Sequence, residues 1–293
     1  MILPNFLVIG AAKSATTTLV DMLRGHPQVS IPSRKEFNHF SHEDNFRRGL
    51  RHYSDRFGDV GRRPAIGEAS PTYTLRHAYP ACAKRIKEAL GDPRLIFIGR
   101  EPLRRIESQW LFDVHVKERP ETSRVFAEAV ETDRSLVDGS RYAWMLQPYL
   151  RTFRRDRLLL LTFEDFLERP EVVFGRCCEF LGLEVIAPPK ASRSNPSGRT
   201  PAWFSRLVSN PWVRRVGSLL TPELRRRIRY SVRREVDRPS WPEDLRRRVE
   251  EFLRPDAEEY LRLAGVPVSR WEICRSPPAD SVERGRQVVA RAA

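Results

Sequence analysis

The stretch Phe6-Leu7-Val8-Ile9-Gly10-Ala11-Ala12-Lys13-Ser14-Ala15-Thr16-Thr17-Thr18-Leu19 decides how the rest of the chain is read. Phe6 to Gly10 is an apolar run of strand length. Small residues follow, with a single lysine among them. Thr16 then opens a helix that runs to Arg24 and is closed by Gly25, with Pro27 just beyond. Strand, short loop and helix start are the parts of a phosphate cradle: unsatisfied backbone N–H groups, the positive end of a helix dipole and a cation at the lip. Ser14, Ala15, Thr16, Thr17 and Thr18 are the expected lining, with Lys13 as the cation. The usual triphosphate loop places its lysine directly after a second glycine and before Ser or Thr. Here Lys13 comes three residues after Gly10, and Ala15 stands where a second glycine is expected.

Outward from this stretch, strand-like runs alternate with helix-period segments. Gln28–Ile31, Ala65–Glu68, Arg94–Gly99 and Arg157–Thr162 read as strands. Asn45–Phe57, Tyr79–Leu90, Ser140–Phe153 and Pro170–Leu181 read as helices, as does the segment opened by Pro102, whose buried stripe is Leu103, Ile106, Trp110 and Val114. Alternation of this kind predicts an α/β domain, a central parallel sheet flanked by helices. The C-terminal region reads as helical and basic. A helix follows Thr221-Pro222-Glu223. A second is capped by Ser240 and Glu243, with Leu245, Val249, Phe252 and Leu253 inward, and a last one spans Pro255–Ala264. One domain is expected over residues 1–272, with a flexible tail over 273–293.

The 293 residues carry 40% apolar content, enough for a sizeable core. No run approaches the ~20 apolar residues of a membrane span. The first strand begins almost at once, without the pattern of a cleaved leader. Cys82, Cys177, Cys178 and Cys274 have no zinc or disulfide spacing, so a reducing cytoplasm is the expected compartment. The formal net charge is +14, and 46 of the 52 cationic side chains are arginine, so anionic partners are expected.

Two further segments belong with the cradle. Arg100 ends the Arg94–Gly99 strand, where the carboxyl ends of parallel strands line a ligand crevice. An arginine there grips a phosphate as a planar fork, and Ser108, on the second turn of the following helix, adds a hydroxyl. Ser30-Ile31-Pro32-Ser33-Arg34-Lys35-Glu36-Phe37-Asn38-His39-Phe40 follows the second strand and faces the same crevice. The Lys13 loop resembles the 5′-phosphosulfate loop of sulfotransferases that use PAPS (3′-phosphoadenosine 5′-phosphosulfate). Arg100-Glu101-Pro102-Leu103-Arg104-Arg105-Ile106-Glu107-Ser108 is similar to their 3′-phosphate segment, with Glu101 where aspartate is common. Lys35-Glu36 resembles a segment of the heparan-sulfate-type and related bacterial branch.

The resemblance runs over residues 5–272 and implies a P-loop-like fold that moves a sulfuryl group from PAPS to an acceptor hydroxyl, leaving PAP. It implies Glu36 as the base that takes the acceptor proton, with His39, three residues on and able to share a helical face, as the alternative. It implies Lys13 as the catalytic cation and Arg100 and Ser108 as the 3′-phosphate grip. Ser140-Arg141-Tyr142 matches the start of the helix beyond the cofactor, which brings in Tyr142. Ser194-Asn195-Pro196-Ser197-Gly198-Arg199 resembles the loop that closes over the 3′-phosphate, which brings in Gly198 and Arg199. Gly67-Glu68-Ala69-Ser70-Pro71 resembles another family segment, but Ala69 stands where some heparan-type members carry lysine.

No metal is expected, because no acidic strand end pairs with the loop. The acceptor is left as a saccharide, lipid or natural-product hydroxyl, and the oligomeric state is left open. The competing readings are a nucleotide-dependent kinase, which lacks its motif here, and a nucleic-acid binder built on the arginine-rich helices. Their apolar stripes argue for packing on the domain, so no nucleic acid is expected.

Overall fold

The computed structural model describes residues 1–33, 36–58, 63–117, 119–189 and 238–275, with the backbone alone at 198–199 and 234–235. In chain order the elements are β1 (Phe6–Gly10), α1 (Thr16–Arg24), β2 (Val29–Ser30), α2 (Glu43–Arg47), α3 (Gly49–Asp55), β3 (Ala65–Ala69), α4 (Cys82–Leu90), β4 (Arg94–Gly99), α5 (Pro102–His115), α6 (Phe126–Thr132), α7 (Arg134–Asp138), α8 (Tyr142–Thr152), β5 (Leu158–Thr162), α9 (Phe163–Glu168), α10 (Pro170–Leu181), β6 (Gly198–Arg199), β7 (Arg234–Glu235) and α11 (Glu243–Ala264).

β1 to β5 form one parallel sheet in the order β2-β3-β1-β4-β5. The pleat sends alternate side chains to opposite faces. Leu7, Ile9, Leu95 and Phe97 join a core built with α4, α5, α8 and α11, whereas Phe6, Val8, Ile96 and Ile98 join one built with α1 and α10. The expected α/β class, a parallel sheet flanked by helices, is the observed one. β6 and β7 pair antiparallel, Gly198 opposite Glu235.

This topology opens the crevice. α1 leaves β1 for one face of the sheet, and α5 leaves the neighbouring β4 for the other. Diverging connections at adjacent strand ends leave a cleft between them, the usual ligand position of an open α/β sheet.

Several boundaries differ from expectation. Asn45–Phe57 is broken into α2 and α3 at Gly49, whose φ of 76° takes the backbone out of the helical region. The two expected C-terminal helices are one, α11, which runs through Pro255. Burial of Leu253, Ala257, Tyr260, Leu261 and Ala264 on one continuous stripe offsets the ~3 kcal/mol of an internal proline. Ser240 does not cap it; Pro242 is the N-cap residue, with no side-chain hydrogen bond. Phe252 points outward, 49% exposed, beneath the Arg141 guanidinium. α6, α7 and α9 were not anticipated. The helix expected after Thr221, the segment Ser194–Ser197, Arg34, Lys35 and residues 276–293 of the expected tail lie outside the described residues.

Candidate active site

The cradle loop is built from strained backbone. Lys13 and Ala15 hold left-handed φ of 70° and 64°, with Ser14 between them. Left-handed L residues cost about 1–2 kcal/mol each and cluster where a fixed backbone shape serves a ligand. Gly10 is required for a different reason. A Cβ there would lie 2.3 Å from Thr74 Oγ1 and 2.8 Å from the Phe97 ring. Thr74 Oγ1 meanwhile donates to the Ile9 carbonyl at 3.0 Å, which seals the loop against the turn after β3.

Ala15 is the N-cap residue of α1 and offers no side-chain cap, and the first turn carries no acidic residue. Ser14 Oγ is fully buried without a hydrogen-bond partner. An uncapped helix start, an orphaned hydroxyl and a lysine on the loop between them fit an anion. Thr16 is buried and Thr17 and Thr18 are half-buried on the first turn.

Lys13 reaches across the crevice, its Nζ 4.0 Å from the centroid of Phe112 on α5, a cation–π contact. Arg100 comes from the other wall. Its guanidinium lies 4.6 Å from the Phe163 ring and donates from Nη1 to the Lys13 carbonyl at 3.2 Å. The two expected anion grips therefore meet at one place. Ser108 is buried on the second turn of α5. Tyr142 is buried rather than open to the crevice: its hydroxyl donates to the Arg100 carbonyl at 2.8 Å and accepts the Arg100 N–H at 3.4 Å. Of Gly198 and Arg199 only the backbone is described, so neither is placed against the crevice. Glu101 caps α5 through the Arg104 N–H at 2.8 Å, and burial pushes its carboxyl up to about 7.

The segment after β2 departs from its expected shape. Glu36 and Asn38 have φ of 59° and 52°, so Glu36 and His39 share no helical face. Glu36 is exposed, its N–H donating to the Ala69 carbonyl at 2.8 Å. His39 is 2% exposed and stacked on Tyr53 at 4.4 Å. Burial, reinforced by Arg56, lowers its pKa to about 4, and its Nε2 has no partner. It is therefore neutral at pH 7 and walled in by rings.

Sequence reasoning passed over the chemistry of Glu68. It is buried at the carboxyl end of β3, next to the cradle strand. Ser70 Oγ donates to it at 2.9 Å, Tyr53 Oη at 3.2 Å, and Tyr73 Oη also donates. Burial raises its proton affinity against those hydrogen bonds. The available signal was a lone carboxylate at the end of an apolar strand. Phe112 and Phe163 carried none, since each reads as ordinary helix packing.

Comparison with known proteins gives this arrangement a family. The model of the sulfotransferase domain matches residues 3–195. The chain belongs to the PAPS-dependent sulfotransferase family. The chain is 26% identical over 271 residues to human heparan sulfate glucosamine 3-O-sulfotransferase 3B1, covering 90% of the chain and 64% of that relative. It is 26% identical over 268 residues to human heparan sulfate glucosamine 3-O-sulfotransferase 6, covering 89% of the chain and 72% of the relative. The chain thus spans under two thirds of the length of the first of these. A sulfotransferase structure from Alicyclobacillus acidocaldarius superposes with a TM-score of 0.65 at 23% identity, covering 92% of this chain and 99% of that one, a likeness of fold. Among the described residues no helix is long and apolar enough to cross a membrane.

Proposed function

We propose that this sulfotransferase moves a sulfuryl group from PAPS to an acceptor hydroxyl. The observation that carries the reading is the hydrogen bond from Arg100 to the Lys13 carbonyl, which joins two anion grips across one crevice. That pairing suits a nucleotide phosphorylated on both sides of its ribose. Bound PAPS would supply the sulfuryl group and depart as PAP. Lys13, Ser14 Oγ, the amide of Ala15 and the hydroxyls of Thr16, Thr17 and Thr18 would hold the 5′ side, and Arg100 with Ser108 the 3′-phosphate. Lys13 offsets negative charge that grows on the leaving oxygen, the usual work of a fixed cation in group transfer.

A carboxylate takes the acceptor proton. Glu36 stands exposed, where an acceptor hydroxyl can reach it, whereas Glu68 is buried and both its oxygens already accept from the Tyr53, Tyr73 and Ser70 hydroxyls. A general base must come within hydrogen-bond reach of the proton it takes, which favours Glu36, with Glu68 holding the segment that carries it. The relatives' names and the net charge of +14 favour an anionic saccharide as acceptor over a lipid or natural-product hydroxyl. The reading keeps one domain over residues 1–272, and four free, buried cysteines support a reducing cytoplasm. Arg246, Arg247 and Arg248 each face a carboxylate (Glu250 and Glu272, Asp244, and Glu131), which argues against a nucleic-acid surface on α11.

Calorimetry tests the core of this. PAP should bind the wild type, ATP with magnesium should bind far more weakly, and Arg100→Ala should weaken PAP by ~1.5–3 kcal/mol, the contribution of a charged hydrogen bond. Tighter binding of ATP with magnesium would replace the reading with a kinase. A labelled-PAPS screen across saccharide, lipid and phenolic hydroxyls identifies the acceptor.

A further inference from the structure

Three successive backbone amides form the junction between β4 and α5, and each is taken by a side chain from a different later element. Tyr260 Oη on α11 accepts the Gly99 N–H at 3.0 Å. Tyr142 Oη on α8 accepts the Arg100 N–H at 3.4 Å. Glu164 Oε1 on α9 accepts the Glu101 N–H at 3.0 Å. Tyr260 Oη also donates to the Leu161 carbonyl at 2.5 Å, so one hydroxyl ties the ends of β4 and β5. Trp271 braces the set. Its ring stacks on Tyr260 at 5.4 Å and 4°, and its indole N–H donates to Glu164 Oε2 at 2.8 Å. The approach of Tyr260 depends on a bare α-carbon: a Cβ on Gly99 would lie 2.7 Å from its ring.

Packing alone does not call for this arrangement. An aromatic ring fills the space with or without a hydroxyl, yet this hydroxyl meets two backbone groups, the N–H of the last residue before Arg100 and the Leu161 carbonyl on the neighbouring strand. Arg100 swings on several single bonds, so fixing its backbone limits where its fork can reach. Tyr260 and Trp271 also lie beyond residue 195, where the matched sulfotransferase domain ends.

We propose that Tyr260 and Trp271 are positioning residues that set the Arg100 fork for the 3′-phosphate, so that the C-terminal helix completes the cofactor grip. The proposal rests on the assignment of Arg100 to that phosphate. The test uses the full chain and calorimetry with two probes, PAP and adenosine 5′-monophosphate, which lacks the 3′-phosphate. Tyr260→Phe keeps the ring stack and removes the hydroxyl. Its PAP affinity should fall about fivefold, the effect of one net hydrogen bond, with adenosine monophosphate affinity unchanged. In an Arg100→Ala background the same change should have no further effect on PAP. Trp271→Phe, which removes the N–H that holds Glu164, should show the same selectivity and serves where Tyr260→Phe folds poorly. Unchanged PAP affinity, or equal losses for both probes, would overturn the proposal. A wild type that does not prefer PAP to adenosine monophosphate would instead overturn the assignment of Arg100.

Discussion

Glu36 and Glu68 sit on two sides of one small network. Glu68 holds Ser70 Oγ, which accepts the Asn38 N–H at 3.0 Å, and Tyr73 Oη, which accepts the His39 N–H at 3.2 Å. The segment that carries Glu36 therefore hangs on Glu68 through two hydroxyls. Replacing either carboxylate should lower turnover, but by different routes. Glu36→Gln should abolish transfer to whichever acceptor the screen identifies, a loss of the 10²–10⁴-fold typical of a general base, with PAP binding retained. Glu68→Gln should lower turnover less, by loosening the Ser70 and Tyr73 hydroxyls that hold the segment. The reverse ranking of the two variants moves the role to Glu68.

Helix α8 shows how an element can depend on a distant one. Its N-cap residue, Arg141, offers no side-chain hydrogen bond. Asp256 of α11 does that work, accepting the Ala143 N–H at 3.0 Å and the Trp144 N–H at 2.8 Å. Asp256→Ala should lower stability by ~0.5–2 kcal/mol, the range for losing a helix cap, read as a shift in the denaturant midpoint; an unchanged midpoint refutes the capping role. Such a cap is not visible in the residues around α8. What was legible were elements with local signals: α1 and α10, each with its turn glycine, β4 with its apolar run, and α5 opened by Pro102. Lys13 and Arg100 were legible as a pair because strand ends in a parallel sheet converge. Glu68, Phe112 and Tyr260 were not, because their meaning comes from tertiary neighbours. The Glu36–His39 spacing misled because left-handed φ values at Glu36 and Asn38 replaced the helical turn it assumes.

Across the whole molecule, the net charge of +14 surrounds a crevice built for anions. A field of one sign speeds the arrival of an oppositely charged ligand and is screened by salt, with a Debye length of ~10 Å at 0.1 M and ~3 Å at 1 M. The association rate of PAP, measured by stopped flow, should fall about tenfold between low salt and 1 M salt, whereas its dissociation rate should change little. A salt-independent association rate would confine the charge to a role in solubility. The same surplus of arginine is partly matched inside the fold, as the pairs of Arg24 with Asp21, Arg141 with Asp138, and Arg270 with Asp165 and Glu168 show.

The stack of Tyr260 on Trp271 places the last keystone of the pocket late in the chain. On the ribosome, β1 to β5 emerge and can begin to fold while these two residues are still to be made, since domains form as their residues appear. The nascent protein would thus own a finished sheet before it owns a finished clamp. A message cut short before codon 260 would strip Leu261, Ala264, Trp271 and Ile273 from the core along with the clamp, so the loss would reach the fold as well as the nucleotide.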